Sequence, residues 1–364
     1  MSMEKTQLFS HFSGKKILVT GHTGFKGSWM SIWLKKIGAE VVGLSLPPNT
    51  QPNLFEAANI AQGMNSIIGD ITDFNCVKDV FNQHQPEIVF HLAAQSLVRP
   101  SFHDPVGTYA TNVLGTAHVL EAARYCDSVK TLVVVTSDKC YLNNEGIWGY
   151  READRLGGKD PYSASKACAE LVVDSYRNSI YKLDNNICIA SARGGNVVGG
   201  GDWSIDRLVP DIVAALQKQD SIILRNPTAI RPWQHVLELI YGYLLLAYHL
   251  NVNGQEFAEA WNFGPSQDNE VTVESLTRTL VKIWGAEDKS IKVIPQKLPE
   301  AHFLKLDATK SRNRLRWKSV LNIEATLDLT AQWYRQFFYN PANALELVDQ
   351  QIDYYLGLID GLPG

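Results

Sequence analysis

The sequence predicts an α/β protein: a doubly wound parallel sheet in its N-terminal part, followed by a smaller, mixed α/β region. Three observations carry this. Short apolar runs of the kind that fill a buried parallel strand recur at residues 17–20, 41–45, 88–94, 131–136 and 187–190. Amphipathic stretches long enough for helices separate them, the alternation that builds βαβ units. The first run empties into Gly21-His22-Thr23-Gly24-Phe25-Lys26-Gly27, a glycine turn that opens the first helix.

Each element has its own reason. The first strand and the helix through Trp29, Met30, Trp33, Leu34 and Ile37 flank glycines spaced GxxGxxG. Such a turn lets the backbone approach a diphosphate, and the new helix offers free N–H groups and its positive dipole end. A glycine turn also serves plain chain reversal; its place at the head of repeated strand–helix units favours a bound dinucleotide. Gly21, Thr23, Gly24, Phe25 and Gly27 are therefore candidate cofactor contacts, with Lys26 a candidate for the cofactor phosphates. The second strand ends in Ser45-Leu46-Pro47-Pro48. A dinucleotide fold usually places an acid there for the adenosine ribose. Here there is none, nor a nearby Arg or Lys for a 2′-phosphate, so the reading is NAD, loosely held, with Ser45 among its contacts.

Residues 66–69 form a third strand, after which Asp70 either receives the adenine amino group or stabilises the turn beside Ile71. Asp73 caps a helix running to about residue 84. The fourth strand closes on Leu92-Ala93-Ala94, small enough at its end to admit a nicotinamide ribose, and Gln95 and Ser96 follow. A helix over 105–125 carries Asn112, read as a backbone tie. The fifth strand delivers Ser137-Asp138-Lys139 at its carboxyl end, the side on which open α/β sheets bind ligands. Asp160-Pro161 then opens a helix that sets Tyr162 and Lys166 one turn apart on one face.

Beyond Arg193 the rhythm weakens. Gly194-Gly195 and Gly199-Gly200-Gly201 read as a flexible connection, and residues 202–232 as loops, a helix and short strands. A helix over 236–250, a strand over 261–264 and helices near 273–284, 325–338 and 344–356 complete the chain. The expected organisation is a dinucleotide domain over 1–193, regaining segments near 235–265, and a discontinuous substrate domain mainly over 194–364. A cleft between them would hold the reaction.

A free phenol has a pKa of about 10 and is a poor base at neutral pH. The Lys166 ammonium one turn away, with a cationic nicotinamide, would stabilise the Tyr162 phenolate and lower that pKa. Tyr162 could then take a proton from a substrate hydroxyl held by Ser137, while Lys166 anchors the nicotinamide ribose.

Taken together, Thr20-Gly21-x-x-Gly24-Phe25-x-Gly27, His91-Leu92-Ala93-Ala94, Thr111-Asn112-Val113-x-Gly115-Thr116, Thr136-Ser137, Tyr162-x-x-x-Lys166 and Asn196-Val197-Val198-Gly199 resemble the extended short-chain dehydrogenase/reductase family over essentially the whole chain. The resemblance implies a Rossmann-type NAD domain, a nucleotide-sugar substrate, and a homodimer or dimer of dimers. Ser137-Asp138-Lys139 points to the 4,6-dehydratase branch, where a hydroxyl residue, Asp and typically Glu stand in series. In that branch Asp is the acid for the leaving hydroxyl and Glu the base at C5; here Lys139 holds the Glu position, as base or as electrostatic stabiliser. Gln95 and Ser96 are read as facing the sugar, and Arg193 and Arg231 as candidates for the substrate diphosphate, with Asn196 as a backbone-loop hydrogen-bond donor. Trp203, Trp233 and Trp261 are read as packing. The rival readings are a nucleotide-sugar 4-epimerase, which has no hydroxide to expel, and a non-catalytic NAD-sensing protein.

Composition narrows the classes. A formal net charge of -4 gives no basic surface for nucleic acid or anionic membrane. Five scattered cysteines without a CxxC pair suit a reducing compartment, and nine histidines without HExxH argue against zinc. The first 16 residues lack the apolar core of a signal peptide, so the expected location is the cytoplasm.

Overall fold

The computed structural model describes residues 3–184, 187–265, 270–294 and 303–360. In chain order the first six strands are β1 (Lys16–Thr20), β2 (Glu40–Ser45), β3 (Asn65–Ile68), β4 (Ile88–His91), β5 (Thr131–Val135) and β6 (Cys188–Gly194). Then β7 (Asn196–Val198), β8 (Ile222–Leu224) and β9 (Ile230–His235) leave the sheet, and β10 (Ala260–Phe263) returns to it. Outside it again lie β11 (Glu270–Thr272) and β12 (Ile291–Val293). The main sheet has seven strands in the order β3-β2-β1-β4-β5-β6-β10, all parallel. The order reverses beside β1, between β2 and β4, so a crevice opens there at the carboxyl ends.

Alternation along the strands explains why both faces are apolar. Ile17 and Val19 join the larger core with Trp29 and Trp33, whereas Leu18 points into the opposite core with Val42, Val89 and Leu132. With helices on both faces, the strands read as continuous hydrophobic runs. A helix at Met3–Phe12, where the sequence reading places no element, buries Leu8 and Phe12 beneath the larger core. The fourth strand ends at His91, so Leu92, Ala93 and Ala94 leave it and turn along the crevice.

The expected helix over 105–125 is one run with a π-turn inside it, Ala110–Leu114. The Asn112 side chain accepts from Gln95 N at 2.8 Å and donates to Gln95 O at 2.9 Å. It also donates to Ser165 Oγ at 2.8 Å, joining this run to the helix Pro161–Ser175.

The glycine-rich stretch after β6 is not a flexible connection. β6 runs through Gly194, and β7 pairs with β9. A Cβ on Gly200 would lie 2.1 Å from the Trp333 ring, so glycine is there for close packing rather than freedom. Trp203 packs edge-on against Trp333 and Tyr334, and Trp261 is fully buried. No helix among the described residues is long and apolar enough to cross a membrane.

Candidate active site

A cavity of about 850 Å³ runs along the carboxyl edge of the sheet. One end is the glycine turn. A Cβ on Gly27 would sit 2.0 Å from Gly21 O, and one on Gly21 would sit 2.7 Å from Ala93 N, so strand, turn and β4 end close only around glycine. Gly24 is the N-cap of the helix Phe25–Lys36 and offers no side-chain cap. The first-turn N–H groups are thus left for an anion, which fits a dinucleotide diphosphate. Thr23, Phe25, Lys26, Ser45, Asp70 and Ile71 line this end. Thr23 Oγ1 and Ser45 Oγ are bonded to each other at 2.8 Å, and Asp70 Oδ1 accepts from Thr72 N at 2.8 Å, a turn-stabilising contact. Loss of solvent, with the charges of Lys166 and Arg207 beside it, pushes the Lys26 amine down to about 7.

The other wall comes from β5 and the helix that follows. Ser137 caps a single 3-10 turn, Asp138–Cys140; its Oγ donates to Asp138 Oδ1 at 2.9 Å and accepts from Lys139 N at 3.2 Å. Asp138 is buried, and its Oδ2 has no hydrogen-bond partner among the described residues. Burial pushes the carboxyl up, against the pull of Lys139, the Ser137 hydroxyl and Arg231. Such a group keeps a proton it can give away. The Lys139 Nζ lies 5.9 Å from the Tyr162 ring centroid.

Asp160 caps the helix Pro161–Ser175 and thereby sets Tyr162 in its first turn; Tyr162 N donates to Ser101 Oγ at 3.1 Å. The expected lowering of the phenol pKa is not what the protein alone produces. Burial pushes Tyr162 up to about 12, opposed by the Ser137 hydrogen bond and the Arg207 charge. Lys166 lies just behind the cavity wall, where its Nζ donates to Val135 O at 3.4 Å. Burial lowers it to about 8, against the pull of Glu170.

Over the cavity lie the segments beyond β6. Asn196 and Arg231 line it as expected; Arg231 Nη1 donates to Ile230 O at 3.0 Å, and its charge reaches Asp138. Trp233 contributes one edge of the lining while its Nε1 donates to Val271 O at 3.3 Å. Arg193 is not a phosphate ligand in this geometry. It turns away from the cavity to pair with Glu170 at 2.6 Å, because the strand pleat gives Gly194, not Arg193, to the cavity. Gln95 lines the cavity, yet its amide is engaged within the protein: Oε1 accepts from Leu97 N at 2.7 Å, and Nε2 donates to Leu97 O and to Thr108 Oγ1 of the helix that follows. Ser96 Oγ accepts from Arg207 Nη2 at 3.0 Å.

Arg207 is the residue that sequence reasoning misses. It lines the cavity, pairs with Asp202 at 2.8 Å and reaches Tyr162 by its charge. Arg99 and Arg225 share Asp206 at 3.1 and 2.6 Å on the same rim. The sequence reading gives no role to Arg99, Arg207 or Arg225, although Arg225 opens the same 225–235 loop as Arg231. Among the described residues no group of three His, Cys, Asp or Glu side chains is set to hold a metal ion.

A buried phenol near a buried carboxyl, on a doubly wound sheet with a glycine turn fit for a dinucleotide, is the arrangement expected of the extended short-chain dehydrogenase/reductases. Comparison with known proteins narrows the class: the family model described as GDP-mannose 4,6 dehydratase matches residues 18–330, and the chain belongs to that family. The CDP-glucose 4,6-dehydratase of Salmonella typhimurium is 47% identical over 329 residues, covering 89% of this chain and 91% of the relative. Among solved structures, the dTDP-glucose 4,6-dehydratase of Streptomyces venezuelae with NAD bound superposes with a TM-score of 0.77. It is 25% identical and covers 90% of this chain and 99% of its own. The UDP-glucose 4-epimerase of Thermotoga maritima gives a TM-score of 0.78 at 23% identity, covering 89% and 99%.

Proposed function

We propose that this chain is a hydro-lyase that converts CDP-glucose to CDP-4-dehydro-6-deoxyglucose with NAD as cofactor and no net redox change. Asp138 carries the reading. A buried carboxyl with one oxygen unpartnered among the described residues, in reach of the Lys139 and Arg231 charges and the Ser137 hydrogen bond, suits an acid for a leaving hydroxyl, which a 4-epimerase does not need. The cytidine base rests on the relative that is 47% identical.

Bound NAD supplies the hydride acceptor for C4 of the sugar and the hydride that C6 later receives. The chain itself handles the protons. Tyr162 takes the C4 hydroxyl proton while Ser137 holds that oxygen. With a ketone at C4, the C5–H bond breaks to an enolate, a step served by Lys139. The C6–O bond then breaks as Asp138 gives its proton to the departing hydroxide, so one water leaves. A proton returned to C5 completes the 4-keto-6-deoxy sugar. Asn196, Arg231 and Arg207 are the candidates to hold the substrate diphosphate; Arg193 is not among them.

Mass spectrometry after incubation with CDP-glucose and NAD tests this. The sugar nucleotide should lose one water without reduced cofactor building up; an unchanged mass would sink the reading. The wall at the end of β2, Ser45-Leu46-Pro47-Pro48, offers no carboxylate for the adenosine ribose. The purified protein is therefore expected to carry less than one NAD per chain and to be stimulated by added NAD; stoichiometric NAD that survives extensive dialysis would contradict this.

A dimer fits the surface. Val106 and Leu114 on the run that contains the π-turn, and Leu171 on the Tyr162 helix, are 76%, 57% and 59% exposed. Apolar side chains grouped on adjacent helices suit an interface. Sedimentation equilibrium should give twice the chain mass or a multiple of that, and a monomer at micromolar concentration would remove the proposal.

A further inference from the structure

Behind the reacting wall lies a buried carboxylate that the chemistry above does not use. Glu170 stands on the Tyr162 helix one turn beyond Lys166 and is 2% exposed. Its Oε2 accepts from Arg193 Nη2 at 2.6 Å and from Ser191 Oγ at 2.7 Å, and its Oε1 accepts from Thr136 Oγ1. Thr136 directly precedes Ser137 at the end of β5, whereas Ser191 and Arg193 belong to β6. One helix residue therefore clamps two strand ends. Arg193 extends the tie: Nη1 donates to Tyr141 Oη at 2.8 Å and to Glu152 O at 3.0 Å.

We propose that Glu170 is a positioning residue for the dehydration, holding the helix with Tyr162 and Lys166 against the strand end with Ser137 and Asp138. This rests on the functional reading above. The phenol and the Ser137-Asp138 pair come from separate elements, and such groups must be held to about 0.5 Å to act on one substrate. A second bond from this helix to β5, from Lys166 Nζ to Val135 O, is long at 3.4 Å. The Thr136–Glu170 bond lies one residue from Ser137. Losing the carboxylate also leaves Arg193 buried without its counter-charge, which disturbs β6 as well.

Charge gives a second consequence. The titratable groups whose charges bear on Lys166 are Glu170, Cys140, Lys26 and His91. Burial keeps the Cys140 thiol protonated, so Glu170 is the anion among them; Arg193 and Arg177 face Glu170 in turn. Removing its charge lowers the pH at which Lys166 loses its proton. The alkaline limb of activity, the pH above which the rise in rate ends, then moves to lower pH.

The test compares Glu170→Gln and Glu170→Asp with the unaltered full-length enzyme, on CDP-glucose with saturating NAD. Glu170→Gln is expected to lower kcat by about tenfold or more through lost positioning, with KM nearly unchanged and the alkaline limb shifted to lower pH. Glu170→Asp keeps the charge but shortens the reach, so kcat falls while the limb stays. Should Glu170→Gln fail to fold by circular dichroism, Glu170→Asp carries the comparison. A folded variant with the unaltered kcat and limb overturns the proposal. If the unaltered enzyme leaves CDP-glucose intact, the functional reading fails separately. Crystal structures of the variants then decide this one: a changed separation of Tyr162 from Ser137 supports it, and an unchanged one overturns it.

Discussion

Replacing Tyr162 with Phe lowers kcat by about a thousandfold, the usual weight of a positioned acid–base group, and leaves KM for the sugar nucleotide little changed. The substitution keeps the buried ring and removes only the hydroxyl, so packing in the first turn of its helix is preserved. On the proposed mechanism the phenol carries the step, and its environment sets its proton affinity. Burial holds it at about 12, and the Ser137 hydroxyl and Arg207 guanidinium pull the other way. An ionised Asp138 raises it further; because burial raises Asp138 too, that carboxyl keeps its proton longer and repels the phenolate less. The sign of the pH dependence follows. Rate climbs from acid pH as the phenolate fraction grows, and the climb ends near 8, where further gain in phenolate is offset as Lys166 loses its charge. Tyr162→Phe should abolish the rising limb. Initial rates from pH 5 to 10, with product read by mass and folding by circular dichroism, check both points. A kcat within tenfold of the unaltered enzyme would remove Tyr162 from the mechanism.

What was legible in the sequence is what sits close together in the chain. The glycine turn, Ser137-Asp138-Lys139 and the Tyr162/Lys166 pair each lie on one strand end or one helix turn, so spacing alone brings them to the carboxyl edge. Asn112 was readable as a tie because a polar residue inside an amphipathic helix needs a partner, and it finds one in Gln95. Arg207 was hidden because its approach to Ser96, 111 residues earlier, depends on how the chain folds back after β7. Arg193 was misread for a related reason. It was read as a candidate for the substrate diphosphate, but the decision lay with Glu170, a buried anion that nothing in the local pattern of β6 announces. The glycines at 199–201 read as part of a flexible connection, whereas Trp333, from the C-terminal part of the chain, packs against Gly200. Local pattern gives local chemistry; contacts across the fold decide which charges are free to use.

Asp138→Asn and Lys139→Met should arrest the reaction at different bonds. Asparagine keeps the shape of Asp138 and its hydrogen bonding to Ser137 but has no proton for a leaving hydroxide. Oxidation at C4 and exchange of the C5 hydrogen with solvent should therefore persist, while water loss falls by about a thousandfold. Reduced cofactor would then accumulate on the protein, visible by its absorbance. Lys139 tests the other half. A free Lys has a pKa of about 10.4, so it is a base only where its surroundings lower that value. Its Nζ sits 5.9 Å from the Tyr162 ring centroid, on the residue that directly follows Asp138. In deuterium oxide, Lys139→Met should therefore still oxidise C4 but incorporate deuterium at C5 at least about a hundredfold more slowly. Normal C5 exchange in that variant would take the base role from Lys139 and leave it as a cation that stabilises the enolate by charge. The two variants together order the bonds: a block in exchange places the fault at C5–H, and exchange without loss of water places it at C6–O.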